Sequence, residues 1–216
     1  MHKAISGTIM FFTSIAIVGA LLFGIAAQRG PVFDNRPRVA KVEMIDYGWG
    51  TGGYLGGGYF LTAGHVADGV HALQIAMPDG TKLPATVLWA NHDEDVALLH
   101  VDAVIADRAF KRSPLACRLP IKGEPITAEG FPGEFNDVVF QGYVAGDITS
   151  IWFWKHAIPM NIVGNHGISG GPVFDANGAI LGVFVGGETP WGGMTVSVSS
   201  REVCDLMGLD KIGWKE

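Results

Sequence analysis

Short apolar runs follow one another along this chain, and each run ends in residues that favour a turn. They are YLGGGYFLTA, HALQIAM, LPATVLWA and DVALLHV in the first half, and PITAEGF, VVFQGYVAGDI, HAIPMNIV, GPVFDANGAILGVFVG and GMTVSVS in the second. Runs this short, bounded by glycine, proline and Asp-Xaa-Asn-Gly turns, are typical of β-strands and not of long helices. The 31 glycines and 11 prolines supply the turns. We therefore predict an all-β fold, either a barrel or a sandwich.

The N-terminus differs from the rest of the chain. From Thr8 to Ala27 no residue is charged, and at about 1.5 Å per residue a helix of this length crosses a hydrocarbon core of ~30 Å. We predict that residues 1–28 form a transmembrane or signal segment that meets the membrane through residues 8–27. A single-pass anchor is favoured because the apolar run exceeds the about 7 to 15 residues usual in a signal peptide, but export after cleavage stays open.

The remaining chain divides into a linker and a folded domain. Residues 29–38 hold two prolines, a glycine and three arginines without an apolar period, which predicts a linker. We expect the domain to span residues 39–216, with a first lobe at about 39–110 and a second at about 118–200. Ser199 followed by Glu202 forms a capping-box pattern, which predicts a terminal helix at about 200–207.

Charge and cysteine content exclude some classes of function. The formal net charge is -6, so the chain lacks the basic surface that nucleic-acid binding requires. Its two cysteines, Cys117 and Cys204, form no zinc cluster, and the sequence does not show whether they pair. The histidines that stand out also lack ligand spacing, so no metal site is predicted; they are His92, His156 and His166. The aromatic run at residues 152–154 is assigned to packing.

Three local patterns indicate nucleophilic catalysis. His65 follows an apolar strand in Thr62–Val66, and an imidazole there suits a general base. Asp95 is the last carboxylate before the apolar run 96–99, at a core edge where it can orient that imidazole. Ser169 lies in GISGGPVF, where flanking glycines keep its hydroxyl accessible. The backbone amides of Gly167 and Ser169 are the candidate oxyanion donors.

These motifs, TAGHV, DVALL and GISGGPVF, resemble those of trypsin-like serine proteases over about residues 40 to 205. The resemblance is greatest to the compact bacterial Deg/HtrA-like branch, here expected without a PDZ domain because the chain ends at Glu216. It implies two six-stranded antiparallel β-barrels with the active site between them. It also implies a serine endopeptidase that hydrolyses polypeptide substrates through an acyl-enzyme, with no cofactor.

The resemblance also implies which residues bind substrate. Val163 and the stretch Val185, Gly186 and Gly187 would line the specificity pocket, and because the lining carries no charge we expect a small or medium apolar residue before the scissile bond.

Two other functions compete with this interpretation, besides a purely structural membrane-anchored β domain, which would leave the three coincident motifs unexplained. One is an inactive, membrane-anchored binding module of the same fold, suggested by Ile168 in place of the usual polar residue beside the nucleophile. The other is an α/β-hydrolase, which the chain order His65, Asp95, Ser169 contradicts.

Overall fold

The computed structural model describes residues 34–69, 71–151, 154–187 and 194–208. The structure is mostly β, as predicted, with two short α-helices and a 3₁₀ turn at Gly64–Ala67. Among the described residues, no helix is long and apolar enough to span a membrane. The predicted membrane segment, residues 8–27, lies outside the described part of the chain.

The first lobe is a closed six-stranded antiparallel barrel. Its strands follow the order β1-β2-β3-β6-β5-β4, and the barrel closes through the pairing of β1 with β4. Their bounds are β1 Val39–Met44, β2 Gly48–Gly56, β3 Tyr59–Ala63, β4 Leu73–Ala76, β5 Lys82–Asn91 and β6 Val96–His100. This lobe agrees with the predicted barrel.

The second lobe is a seven-stranded sheet, and here the prediction of a closed six-stranded barrel is wrong. The order is β8-β7-β11-β12-β13-β10-β9. The bounds are β7 Pro125–Gly130, β8 Val138–Tyr143, β9 Thr149–Ile151, β10 Trp154–Met160, β11 Pro172–Phe174, β12 Ile180–Gly187 and β13 Thr195–Ser199.

The end strands of this sheet explain why it stays open. Val144, just after β8, meets Met160 of β10 in one isolated bridge. The adjacent Pro159 accepts a hydrogen bond from Ala145 but has no N–H to extend the ladder. β9 contributes only three residues to the far side of β10. The sheet therefore curls toward closure without forming a full ladder between β8 and β10.

The segment between the lobes contains a helix that the sequence pattern does not predict. Helix α1, Ala103–Ala109, begins after Asp102, whose carboxylate accepts a hydrogen bond from the Ile105 N–H. Only Ala106 of this helix is buried. A seven-residue helix with so narrow an apolar face shows almost no helical spacing of apolar residues, so the sequence pattern does not distinguish it from an irregular segment.

The C-terminal helix α2, Ser200–Met207, lies where it is predicted. Ser199 caps it by accepting a hydrogen bond from the Arg201 N–H, and Gly208 ends it in the left-handed conformation at φ +67°. A disulfide bond joins Cys204 of this helix to Cys117 in the inter-lobe segment.

Two apolar clusters form the core. One fills the second sheet, with Ile158, Met160 and Phe184 among its members. The other begins inside the first barrel and continues through Trp154 and Val185 of the second lobe. Because one buried cluster contains residues of both lobes, the two lobes pack against each other.

Candidate active site

The chain positions His65 by a close backbone approach. β3 ends at Ala63, and Gly64 starts the 3₁₀ turn that carries the imidazole. A Cβ at Gly64 would lie 3.1 Å from backbone atoms of Asp95 and from the carbonyl oxygen of Asn91. Glycine therefore lets the His65 turn pack directly against the segment that carries Asp95.

The carboxylate of Asp95 contacts His65 through both of its oxygens. His65 Nδ1 lies 2.9 Å from Oδ2 and 3.0 Å from Oδ1, and the His65 backbone N–H donates to Oδ1 at 2.8 Å. Because an ionised carboxylate only accepts, Nδ1 carries the proton and Nε2 is left with the lone pair. The Asp95 side chain is 8% exposed and that of His65 49% exposed, so the pair has one buried and one accessible end.

The backbone at Asp95 is unusual for a residue with a side chain. Its φ is +54°, in the left-handed region that aspartate tolerates better than most residues. This conformation comes at the residue just before β6 and turns the carboxylate toward His65. Local strain at this position is balanced by the hydrogen bonds that the carboxylate accepts.

Trp154 is a neighbour of Asp95 that the sequence does not reveal. Its indole Nε1–H donates to Asp95 Oδ2 at 3.4 Å, a long hydrogen bond, and the side chain is buried. The same ring packs over Gly186, where an added Cβ would lie 2.7 Å from a ring carbon. Trp154 and Asp95 are 59 residues apart in the chain, and no local sequence pattern links them. The other aromatics of the run 152–154 lie outside the described residues.

The loop that carries Ser169 is held by Thr51 of the first barrel. The Thr51 hydroxyl donates to the Gly167 carbonyl at 2.7 Å, and its N–H donates to the Ser169 carbonyl at 2.8 Å. Gly167 has φ +96° and Gly170 has φ +86°, conformations that favour glycine. The loop is therefore fixed on both sides of the serine by bonds from the other lobe.

The immediate surroundings of Gly167 and Ser169 suit a free pair of donors. A Cβ at Gly167 would lie 2.3 Å from the Phe131 carbonyl oxygen, so glycine is required there. Within the part of the chain that the structure describes, neither the Gly167 N–H nor the Ser169 N–H donates a hydrogen bond. Ile168 between them is 1% exposed and packs in the core of the second sheet. The apolar residue at this position is thus accommodated by burial.

His65 and Ser169 border one open cleft of about 560 Å³. Of the residues predicted to bind substrate, Val163, Gly186 and Gly187 line this cleft, whereas Val185 is buried in the core cluster that spans the lobes. Successive side chains on a strand face opposite sides, so Phe184 lines the cleft instead. Among the described residues, the lining includes no carboxylate, lysine or arginine.

Known proteins resemble this chain over much of its folded part. The family model of the trypsin-like peptidase domain matches residues 50–183. A probable periplasmic serine endoprotease DegP-like from Brucella suis is 29% identical over 169 residues, covering 73% of this chain and 33% of its own length. The chain spans about a quarter to a third of the length of such curated relatives.

Solved structures show the same fold. The serine endoprotease from Yersinia pestis superposes with a TM-score of 0.68 at 22% identity, covering 80% of this chain and 62% of that one. The HtrA-type protease AlgW, solved with a tripeptide, gives 0.70 at 21% identity, covering 80% and 60%.

The family match covers more than half of the chain, so the protein belongs to the trypsin-like peptidase domain family. Within that family, its sequence is similar to DegP-like relatives and its fold to that of the HtrA-type protease AlgW, so the similarity is to the Deg/HtrA branch.

Proposed function

We propose that this chain is a serine endopeptidase that cleaves polypeptide substrates through an acyl-enzyme formed on Ser169. The observation that carries the proposal is the contact of His65 with Asp95 at 2.9 Å, on the edge of the cleft that Ser169 also borders. Curated relatives are named as probable periplasmic serine endoproteases, which supports the same activity.

The proposed reaction uses the chain's own groups throughout. The Ser169 oxygen attacks the carbonyl carbon of the substrate while Nε2 of His65 accepts the hydroxyl proton. Asp95 stabilises the imidazolium that forms. The Gly167 and Ser169 amides hold the oxyanion. The C–N bond then breaks, and the imidazolium gives its proton to the leaving amine. Water next attacks the acyl-enzyme through the same steps and releases the acyl group.

We further propose that the cleft accepts an apolar residue before the scissile bond. Val163, Phe184 and Met194 line it, and the lining described above offers no counter-charge to a basic residue. In this proposal the substrate pairs as an added strand with Gly186 and Gly187, which border the cleft. A peptide-library profile should show apolar residues at this position, and a profile dominated by lysine or arginine would contradict the assignment.

The disulfide bond supports a site of action outside the cytoplasm. Disulfides persist in oxidising compartments, and the relatives are named as periplasmic. In this proposal residues 8–27 export the domain, as an anchor or as a cleaved signal. Cells quenched with an alkylating agent should yield chain with Cys117 and Cys204 unmodified. Full alkylation of both cysteines would argue against a site of action outside the cytoplasm.

The test of the triad compares two carboxylates of one loop. Asp95→Asn should lower kcat/KM on an unfolded protein such as casein by about 10⁴, because the amide favours the wrong tautomer of His65. Asp93→Asn is the matched control, since Asp93 is exposed and pairs with Lys155 at the surface. Equal activity in the two variants would contradict the role of Asp95.

A further inference from the structure

Three side chains from separate elements meet beside the loop that carries Asp95. Glu94 precedes β6, His156 lies on β10, and Glu202 lies on α2. His156 Nδ1 is 2.9 Å from Glu94 Oε1 and 3.3 Å from Glu202 Oε2. One ligand atom from each residue lies within 4.8 Å of the others. The cluster is separate from the cleft that His65 and Ser169 border.

Glu94 provides a second observation that points to a ligand. Its side chain is only 5% exposed, and its Oε2 is buried without a hydrogen-bond partner among the described residues. A buried carboxylate oxygen without a partner is costly, and native structures almost always satisfy such a group. The imidazole accounts for only one oxygen of this carboxylate.

The donor set and its spacing fit a divalent transition-metal ion. A tetrahedral zinc centre, with ligand bonds of about 2.0 to 2.1 Å, places its ligand atoms about 3.3 Å apart. The distances from Nδ1 to the two carboxylates, 2.9 and 3.3 Å, are close to this spacing, and all three ligand atoms lie within 4.8 Å of one another. One imidazole nitrogen with two carboxylates suits Zn²⁺ better than Ca²⁺ or Mg²⁺, which prefer oxygen ligands alone.

We propose that Glu94, His156 and Glu202 bind a structural Zn²⁺ ion, with water in the remaining position. The ion takes the place of the proton on His156 Nδ1, and the imidazole then carries its proton on Nε2. For His156 this proposal departs from the expectation of no metal site, which rests on the spacing of His92, His156 and His166. The sequence hides the site because His156 and Glu94 are 62 residues apart.

The proposed ion would fasten three parts of the molecule together. Glu94 is adjacent to Asp95 on the first lobe, while His156 and Glu202 belong to the second sheet and the terminal helix. Lys155, next to His156 in the chain, pairs its ammonium with Asp93 at 2.8 Å, which holds the pKa of Asp93 below its usual value. An ion that binds only the folded state stabilises it. This inference does not depend on peptidase activity.

Metal binding by the full chain, purified in mild detergent and stripped with EDTA, tests the proposal. In equilibrium dialysis against ZnCl₂, the wild type should bind one more zinc ion per chain than His156→Gln. ZnCl₂ should also raise the Tm of the wild type, whereas MgCl₂ should not. His156→Gln and Glu202→Gln should each weaken zinc binding by about tenfold or more. His71→Gln, which removes an imidazole stacked on Tyr47 away from the cluster, should bind zinc like the wild type.

Two results would overturn the proposal. One is equal zinc affinity in His156→Gln, Glu202→Gln and His71→Gln, which would mean that zinc binds elsewhere. The other is a Tm that zinc leaves unchanged in the wild type. If His156→Gln loses its folded circular dichroism spectrum, Glu202→Gln decides the question, because Glu202 is a partly exposed helix residue.

Discussion

At the scale of single residues, Asp95 concentrates the interactions on which the proposed chemistry depends. Its carboxylate accepts hydrogen bonds from the backbone and the ring of His65 and from the indole of Trp154. Each bond limits the rotation of the carboxylate and so fixes the plane of the imidazole. Trp154 is thus a positioning residue in this account, since it acts on His65 through Asp95.

Trp154→Phe tests that role. Loss of the indole donor should lower kcat about fivefold, the effect of about 1 kcal/mol, because the bond is long. KM should stay unchanged, since Asp95 binds no substrate. Trp89→Phe, at a partly buried position on β5, is the control for loss of an indole. A KM change without a kcat change, or equal kcat values in the two variants, would show that Trp154 only packs.

The residues of the site were predictable from sequence to different degrees. His65, Asp95 and Ser169 each lie in a local motif, so their candidacy follows from a few neighbouring residues. Trp154 and the partners of His156 have no such motif because their contacts join distant parts of the chain. Assigning the whole stretch 185–187 to the pocket overlooks strand alternation, which places Val185 in the core and leaves Phe184 to line the cleft.

At the scale of elements, the loop at residues 167–171 depends on its glycines and on β2. Gly167 has a positive φ and no room for a Cβ, while Thr51 of β2 bonds to the loop on both sides of Ser169. The GISGG pattern predicts an unusual backbone here. Only the folded structure identifies Thr51 and Phe131 as the groups that make it necessary.

Gly167→Ala measures how much the loop conformation matters. The added Cβ must displace the Phe131 carbonyl or rotate the Gly167 peptide, so the oxyanion donor is lost and kcat should fall by about 10² to 10³. Gly48→Ala is the matched control, because a Cβ there has no atom within 4 Å. Steady-state kinetics at matched folded concentration would distinguish them. An active Gly167→Ala variant would mean that the loop conformation is not required.

At the scale of the whole molecule, buried apolar contacts join the two lobes, and a disulfide bond links the C-terminal helix to the segment between them. In the first lobe the apolar runs predict strands, but only the family resemblance predicts that six of them close into a barrel. Closure of the second sheet was not predictable in this way. It depends on Pro159 and on whether β8 meets β10, which are long-range properties of the sheet.

The disulfide bond closes a loop of 87 residues between the inter-lobe segment and α2. The Cys117→Ser, Cys204→Ser double variant should lose about 2 to 5 kcal/mol of unfolding free energy, because the unfolded chain gains freedom. Urea unfolding of the variant against oxidised wild type measures this, and reduced wild type should unfold like the variant. Identical midpoints for all three samples would mean that the link does not stabilise the fold.

The central claim is that His65 and Asp95 activate Ser169, and covalent labelling by a fluorophosphonate tests it most directly. Intact mass spectrometry of the full chain should show one adduct, and Ser169→Ala should show none. No adduct on the wild type, under conditions where a control protease is labelled, would contradict the account and favour an inactive binding module of the same fold.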